Sequence, residues 1–159
     1  MKEIEIKIAI RSCDVSELPE DEQVLIEKAK NATLHAYSPY SHFSVGAALQ
    51  LENGAIVIGA NQENAAFPSG TCAERSAIFA AQSQFPDSPI IKIAIAAQNE
   101  NGFLMDPITP CGACRQVILG IEDRYGKKIR ILLYGLKKIY VIESAKDLMP
   151  LSFVDSSMS

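Results

Sequence analysis

The sequence predicts an α/β protein with a central sheet covered by helices on both faces. Two observations carry this. Short apolar stretches of strand length alternate along the chain with segments of helical periodicity. The stretch Pro89 to Ala97 is almost continuously apolar, the pattern of a strand buried on both faces.

Residues 3–11 alternate Glu-Ile-Glu-Ile-Lys-Ile-Ala-Ile-Arg, placing Ile4, Ile6, Ile8 and Ile10 on one face, so a first strand is expected there. Leu18-Pro19-Glu20-Asp21-Glu22 opens a helix with Pro near its first turn and acids at the positive end of its dipole. Val24, Leu25, Ala29 and Ala32 carry the helix toward Tyr37, and Ser38-Pro39 breaks it. Strands follow at 43–51 and 55–60, joined by the Asn53-Gly54 turn, because Asn-Gly supplies the positive φ a tight hairpin needs. Residues 61–71, rich in Asn, Pro, Ser and Gly, read as loop. A helix is expected from Cys72 to Gln84, a strand over 89–97, a loop over 98–108, and a helix from Thr109-Pro110 to Asp123. Strands at 129–134 and 138–142 and a short helix at 144–149 complete the chain. The 159 residues show no linker, repeat or low-complexity block, so a single domain is expected over 1–159.

Composition narrows the partners. The net charge is −4 and the pI about 5.2, with no basic stripe of the kind that grips a phosphate backbone. A small uncharged substrate therefore fits better than nucleic acid. No apolar run approaches the roughly 20 residues that span a bilayer, so no membrane partner is expected. The first residues, Met1-Lys2-Glu3-Ile4-Glu5, carry acids where a signal peptide is basic, so a cytoplasmic protein is expected.

Four cysteines hold the chemistry: Cys13, Cys72, Cys111 and Cys114. Cys111 and Cys114 are three apart at a predicted helix start, so both sulfurs can face one metal. Cys72 begins another predicted helix, where free N–H groups and the dipole favour thiolate. Three thiolates leave one position of a tetrahedral zinc for water, the arrangement of a catalytic site. A redox dithiol is the competing reading of Cys111-Gly112-Ala113-Cys114, and a closed structural site would need Cys13 as fourth ligand; a lone cysteine of this kind more often packs as a small apolar residue. The triplet Cys72-Ala73-Glu74 favours the hydrolytic reading, because a carboxyl two residues past a ligand can carry protons beside the metal. Arg75, or alternatively Arg115, can offset the negative charge of the thiolates.

Thr71-Cys72-Ala73-Glu74-Arg75-Ser76-Ala77 together with Thr109-Pro110-Cys111-Gly112-Ala113-Cys114-Arg115-Gln116-Val117 resembles the small, three-cysteine cytidine deaminases, within the zinc deaminase class whose Glu is not a ligand. Ala36 to Ala48, Asn61-Gln62-Glu63-Asn64-Ala65 and Leu148 to Phe153 look like further motifs of that family, so the resemblance spans roughly residues 20–155. It implies a three-layer α/β/α fold with a mixed five-stranded central sheet, to which residues 3–11 add a strand outside the common core. It implies one zinc per subunit on Cys72, Cys111 and Cys114, with Glu74 as catalytic proton carrier and Arg75 supporting a ligand sulfur. Asn61 and Glu63 would hold the ribose 3′-hydroxyl, Phe43 would pack on the pyrimidine, and the Ala73 backbone would contact the base. Phe153 would reach a neighbouring subunit's site in a homotetramer with shared sites. His35 and His42 are not ligands in this family.

The implied reaction converts cytidine and 2′-deoxycytidine to uridine and 2′-deoxyuridine in pyrimidine salvage, with Glu74 passing a proton from water to ring N3 and then itself protonating the leaving amine. The alternatives are a related deaminase acting on an aminated nucleoside antibiotic or other small aminated base, a polynucleotide-editing deaminase, which the acidic charge disfavours, and a non-enzymatic zinc module. Phe67 departs from the family, since many relatives carry Tyr there.

Overall fold

The structure, a computed structural model, describes residues 1–158. Among them, seven strands form one mixed sheet: β1 (Arg11–Cys13), β2 (Ser44–Leu51), β3 (Ile56–Ala60), β4 (Ile90–Asn99), β5 (Gly102–Phe103), β6 (Arg130–Tyr134) and β7 (Ile139–Ile142). The order across the sheet is β1-β7-β6-β4-β2-β3, with β5 hairpinned onto β4. Of these strands only β4 and β6 run parallel, and the crossover between them carries a helix. Helices α1 (Glu20–Ala32), α2 (Ala73–Gln84) and α3 (Gly112–Tyr125) cover the sheet.

The two faces of β4 sort the layers. Ala94 and Ala96 face α1, in a cluster with Leu25, Ile26 and Ala29. Ile93 and Ile95 face α2 and α3, against Ala77, Ile78, Ile118 and Leu119. Each fully buried Leu or Ile contributes roughly 1.5–3 kcal/mol. Small residues on the α1 side let that helix come close. A Cβ at Gly46 of β2 would stand 2.1 Å from the Ala29 carbonyl oxygen. On the opposite face, a Cβ at Gly59 of β3 would stand 2.4 Å from the Ala77 nitrogen and 2.6 Å from the Ala73 oxygen of α2. Helix α1 is also clamped electrostatically. Its buried Glu22 accepts from Arg130 Nε of β6 at 2.8 Å and pairs with Lys92 Nζ of β4 at 3.1 Å.

The predicted layers are present, and several boundaries move. The sheet has seven strands instead of the expected five with one addition. The expected strand over 3–11 is confined to Arg11–Cys13, because β7, its neighbour, ends at Ile142. Residues 98–108, expected to be loop, contain the end of β4 and the two-residue β5, turned by Gly102 at φ 99°. Helix α1 ends at Ala32 and passes into a 3-10 turn over Thr33–His35. Pro19 stands at its N-cap, ahead of the first turn. The last predicted helix is a 3-10 turn over Ala145–Leu148. The hairpin at Asn53-Gly54 forms, but of the two residues Gly54 alone takes a positive φ, 85°, with Leu51 N–H donating to the Ala55 carbonyl at 2.9 Å.

Candidate metal centre and pocket

Two helix N-termini meet at one point. Cys72 is the N-cap residue of α2, extended at φ −78° and ψ 156°, and Cys111 is the N-cap of α3, at φ −66° and ψ 166°. The expected helix start at Thr109-Pro110 therefore moves two residues on, and Cys114 falls in the first turn of α3. The Gly59 contact holds α2 in place from beneath.

The three sulfurs lie within 4.8 Å of one another, with Cys72 Sγ to Cys111 Sγ at 3.9 Å. Tetrahedral zinc with Zn–S bonds near 2.3 Å separates its sulfurs by about 3.8 Å, so the donor set fits the metal. Chemistry fits as well. Burial pushes the Cys114 thiol far up, and the nearby Glu74 carboxylate and the other two sulfurs add to the shift. At Cys111 burial acts upward, but hydrogen bonds from Cys114 and Cys72 bring the thiol below its usual value. A cation resolves this crowding of incipient charge. Among the described residues, no fourth His, Cys, Asp or Glu joins the cluster. Cys13 lies on β1, packed against the α1-side core.

Arg75 and Glu74 stand beside the sulfurs in the first turn of α2. Arg75 Nη2 donates to Cys72 Sγ at 3.5 Å, and that hydrogen bond raises the guanidinium above its usual value. Arg75 Nε is buried without a hydrogen-bond partner among the described residues. Glu74 is 3 % exposed, and its burial pushes the carboxyl up against the opposing hydrogen bonds of its own backbone and Cys114. Arg115 points elsewhere. Its guanidinium donates to the Pro110 carbonyl at 2.8 Å, the Leu148 carbonyl at 3.0 Å and Thr109 Oγ1 at 3.0 Å. It braces the Cys111 loop against the C-terminal segment, and charge compensation at the sulfurs falls to Arg75.

A cavity of about 760 Å³ opens over the centre. Cys72, Ala73, Glu74, Arg75 and Cys111 form one wall, and Asn61, Gln62, Glu63 and Phe67 another. Phe43 and Phe153 are not among its lining residues. Phe43 lies half-buried just ahead of β2, where Asn61 Nδ2 donates to its carbonyl at 2.9 Å. Val45 lines the cavity in that region. Phe153 is 58 % exposed, its carbonyl accepting from Gln116 Nε2 at 2.9 Å.

The loop wall is tied down by its own polar groups. Asn61 Oδ1 accepts from Val45 N–H at 2.8 Å, so with the Nδ2 bond to Phe43 both ends of this side chain order the start of β2. Glu63 Oε2 accepts from Tyr40 N–H at 2.8 Å and Ser41 N–H at 3.3 Å. Hydrogen bonds from Ser41 and Tyr40 hold the Glu63 carboxyl below the usual range. Sequence reasoning missed Gln62, whose Nε2 reaches the His35 carbonyl at 2.9 Å and whose backbone exchanges hydrogen bonds with Thr71. It also missed Ile108 and Thr109 as lining. Neither carries a local signal, because the turn that brings them in is closed by distant contacts such as Leu136 N–H to the Leu104 carbonyl at 2.9 Å.

Fold and site together define a three-layer α/β protein whose paired helix N-termini bring together three thiols able to hold a metal beside a buried carboxyl. Residues 19–125 match the family described as the cytidine and deoxycytidylate deaminase zinc-binding region, and the chain belongs to that family. It is 45% identical over 98 residues to a cytidine deaminase of Halalkalibacterium halodurans, covering 62% of this chain and 70% of the relative. It is 41% identical over 103 residues to a probable cytidine deaminase of Dictyostelium discoideum, covering 65% of each. The crystal structure of a cytidine deaminase from Burkholderia pseudomallei superposes with TM-score 0.70 at 37% identity, over 86% of this chain and all of that one. A cytidine deaminase from Mycobacterium tuberculosis superposes with TM-score 0.65 at 29% identity, over 85% of this chain and 98% of that one.

Proposed function

We propose that this chain is an enzyme that hydrolytically deaminates cytidine and 2′-deoxycytidine to uridine and 2′-deoxyuridine, releasing ammonia, in pyrimidine salvage. The observation that carries this is the buried Glu74 carboxyl lining a cavity beside three converging cysteines, in a chain of the deaminase family. Cys72, Cys111 and Cys114 are the proposed ligands of one zinc ion per subunit. Bound zinc would supply Lewis-acid activation of the attacking water.

Glu74 moves the protons. Its carboxylate takes one from the attacking water and delivers it to ring N3, then takes the second from the hydroxyl now on C4 and gives it to the amine, so that the C4 carbonyl forms as the C4–N bond breaks. A carboxyl whose affinity for protons is raised by burial suits this two-way traffic. Arg75 draws negative charge from Cys72, keeping the thiolate set from over-neutralising the metal. The Ala73 backbone meets the base edge. Glu63 and Asn61 hold the ribose, Glu63 as acceptor and Asn61 as donor or acceptor. Phe43 packs on the pyrimidine, and Phe153 contributes to a neighbouring subunit's site in a homotetramer with shared sites. The chain acts as one domain, with its core over about residues 20–155, in the cytoplasm. No helix among the described residues is long and apolar enough to cross a membrane.

A deaminase for another small aminated base would share the metal centre but has no use for a polar wall that receives a sugar. Asn61 and Glu63 on the cavity wall favour the nucleoside. The deciding experiment combines metal analysis of the purified protein with the fall in ultraviolet absorbance of cytidine. Zinc near one equivalent with stoichiometric ammonia is expected. A metal-free protein with Cys111 bridged to Cys114, or a zinc-loaded protein inert toward both nucleosides, overturns the proposal.

A further inference from the structure

The alternating segment at residues 3–11 has no part in the site. Its strand β1 pairs antiparallel with β7, Arg11 opposite Val141 and Cys13 opposite Ile139. One step further back, Ile10 falls opposite Ile142, where β7 ends. The chain beyond Ile142 turns away into the 3-10 turn at Ala145–Leu148. Among the described residues, 1–9 therefore have no strand of their own chain to pair with. Ile4, Ile6, Ile8 and Ile10 are 80 %, 47 %, 39 % and 50 % exposed. A period-two isoleucine stripe that extends an edge strand is a template for strand addition.

Charge selects the occupant. The polar side reads Glu3, Glu5, Lys7, Ala9, Arg11, acids first and bases last. A parallel copy in register would set Glu on Glu and Lys on Lys. An antiparallel copy turned about Lys7 would oppose that lysine to itself. Turned about Ile6, the same copy sets Glu5 opposite Lys7 twice, Ile4 opposite Ile8 twice, and Ile6 opposite Ile6. Arg11 is already paired with Glu143 and is not required. The isoleucines lie on the face shared by Tyr140 and Ile142, so a ribbon in this register prolongs that apolar face of the sheet. We propose that residues 3–9 of two copies of this chain pair as an antiparallel ribbon centred on Ile6, joining β1 of one subunit to β1 of the other.

Cross-linking of the full chain tests the pairing whatever other contacts the subunits make. Directly opposed residues have Cα atoms about 4.5–5.5 Å apart, inside the roughly 4.4–6.8 Å a disulfide spans. Ile6→Cys, treated with oxidised glutathione and mapped by peptide analysis, is expected to give a dimer bridged between the two copies of position 6. The wild-type chain reports the background from native cysteines, and melting temperature reports folding. The dimer should form roughly tenfold faster than the homodimers of Ile4→Cys or Ile8→Cys, which this register keeps apart. Adding Glu5→Lys to Ile6→Cys should slow it roughly tenfold, since both symmetric cross-strand pairs become repulsive, and adding Lys7→Glu as well should restore the rate. Equal rates at positions 4, 6 and 8, absence of the dimer, or a rate indifferent to the charge exchange each overturn the proposal.

Discussion

Arg75 donates to the sulfur of Cys72 at 3.5 Å from within the helix that this cysteine caps. The contact places a fixed positive charge against one of three prospective thiolates, and Arg75 Nε remains buried without a partner among the described residues. Replacing Arg75 by Gln keeps a polar side chain but removes the charge. Activity or zinc affinity is expected to fall about 10- to 100-fold, the usual cost of losing a group that supports a metal ligand. Steady-state kinetics alongside a competitive chelator titration measures both. An unchanged value for each would remove Arg75 from the centre.

Glu74→Gln preserves shape and burial while abolishing proton transfer. Turnover of cytidine is expected to drop by about 10²–10⁴, with zinc content and melting temperature near those of the unaltered protein. Near-normal turnover in a zinc-loaded variant would assign the proton transfers to another group.

Glu63 offers a pH test. Hydrogen bonds from Ser41 and Tyr40 favour its charged form in the folded chain, so its pKa lies below the ordinary carboxylate value. The sign follows: what the carboxylate contributes is present above the unfolded pKa and is lost only as pH falls through the lowered one. KM for cytidine is therefore expected to show no step from Glu63 between about pH 7 and 5. Glu63→Gln should raise KM roughly tenfold across that window while kcat changes much less. A loss confined to kcat would contradict a ribose-binding role.

Gly59→Ala would drive a methyl group into the backbone of α2, 2.4 Å from the Ala77 nitrogen. A destabilisation of about 1–3 kcal/mol is expected, read from the urea midpoint at unchanged slope. Activity should fall with it, because the displaced helix carries Cys72 and Glu74.

The convergence of the three cysteines was legible because these residues obey local rules. The spacing of Cys111 and Cys114 and the triplet Cys72-Ala73-Glu74 need no distant partner to be meaningful. The sheet was legible where strands are continuously apolar, as at β4. What sequence could not supply depends on partners far along the chain. Strand character in residues 3–10 needs a neighbour, and β7 ends too early to be one. Pro110 has the φ of a first helical residue, yet the extended Cys111 caps the helix. Arg115 looked like a partner for sulfur, but the carbonyls of Pro110 and Leu148 claim its guanidinium. Competition among acceptors is settled only when the C-terminal segment folds back.

No side chain separates Gly59 from α2, so at this point the sheet and the helix bearing Cys72 meet main chain to main chain. Position 59 is therefore closed to any residue with a side chain unless α2, and Cys72 with it, moves outward.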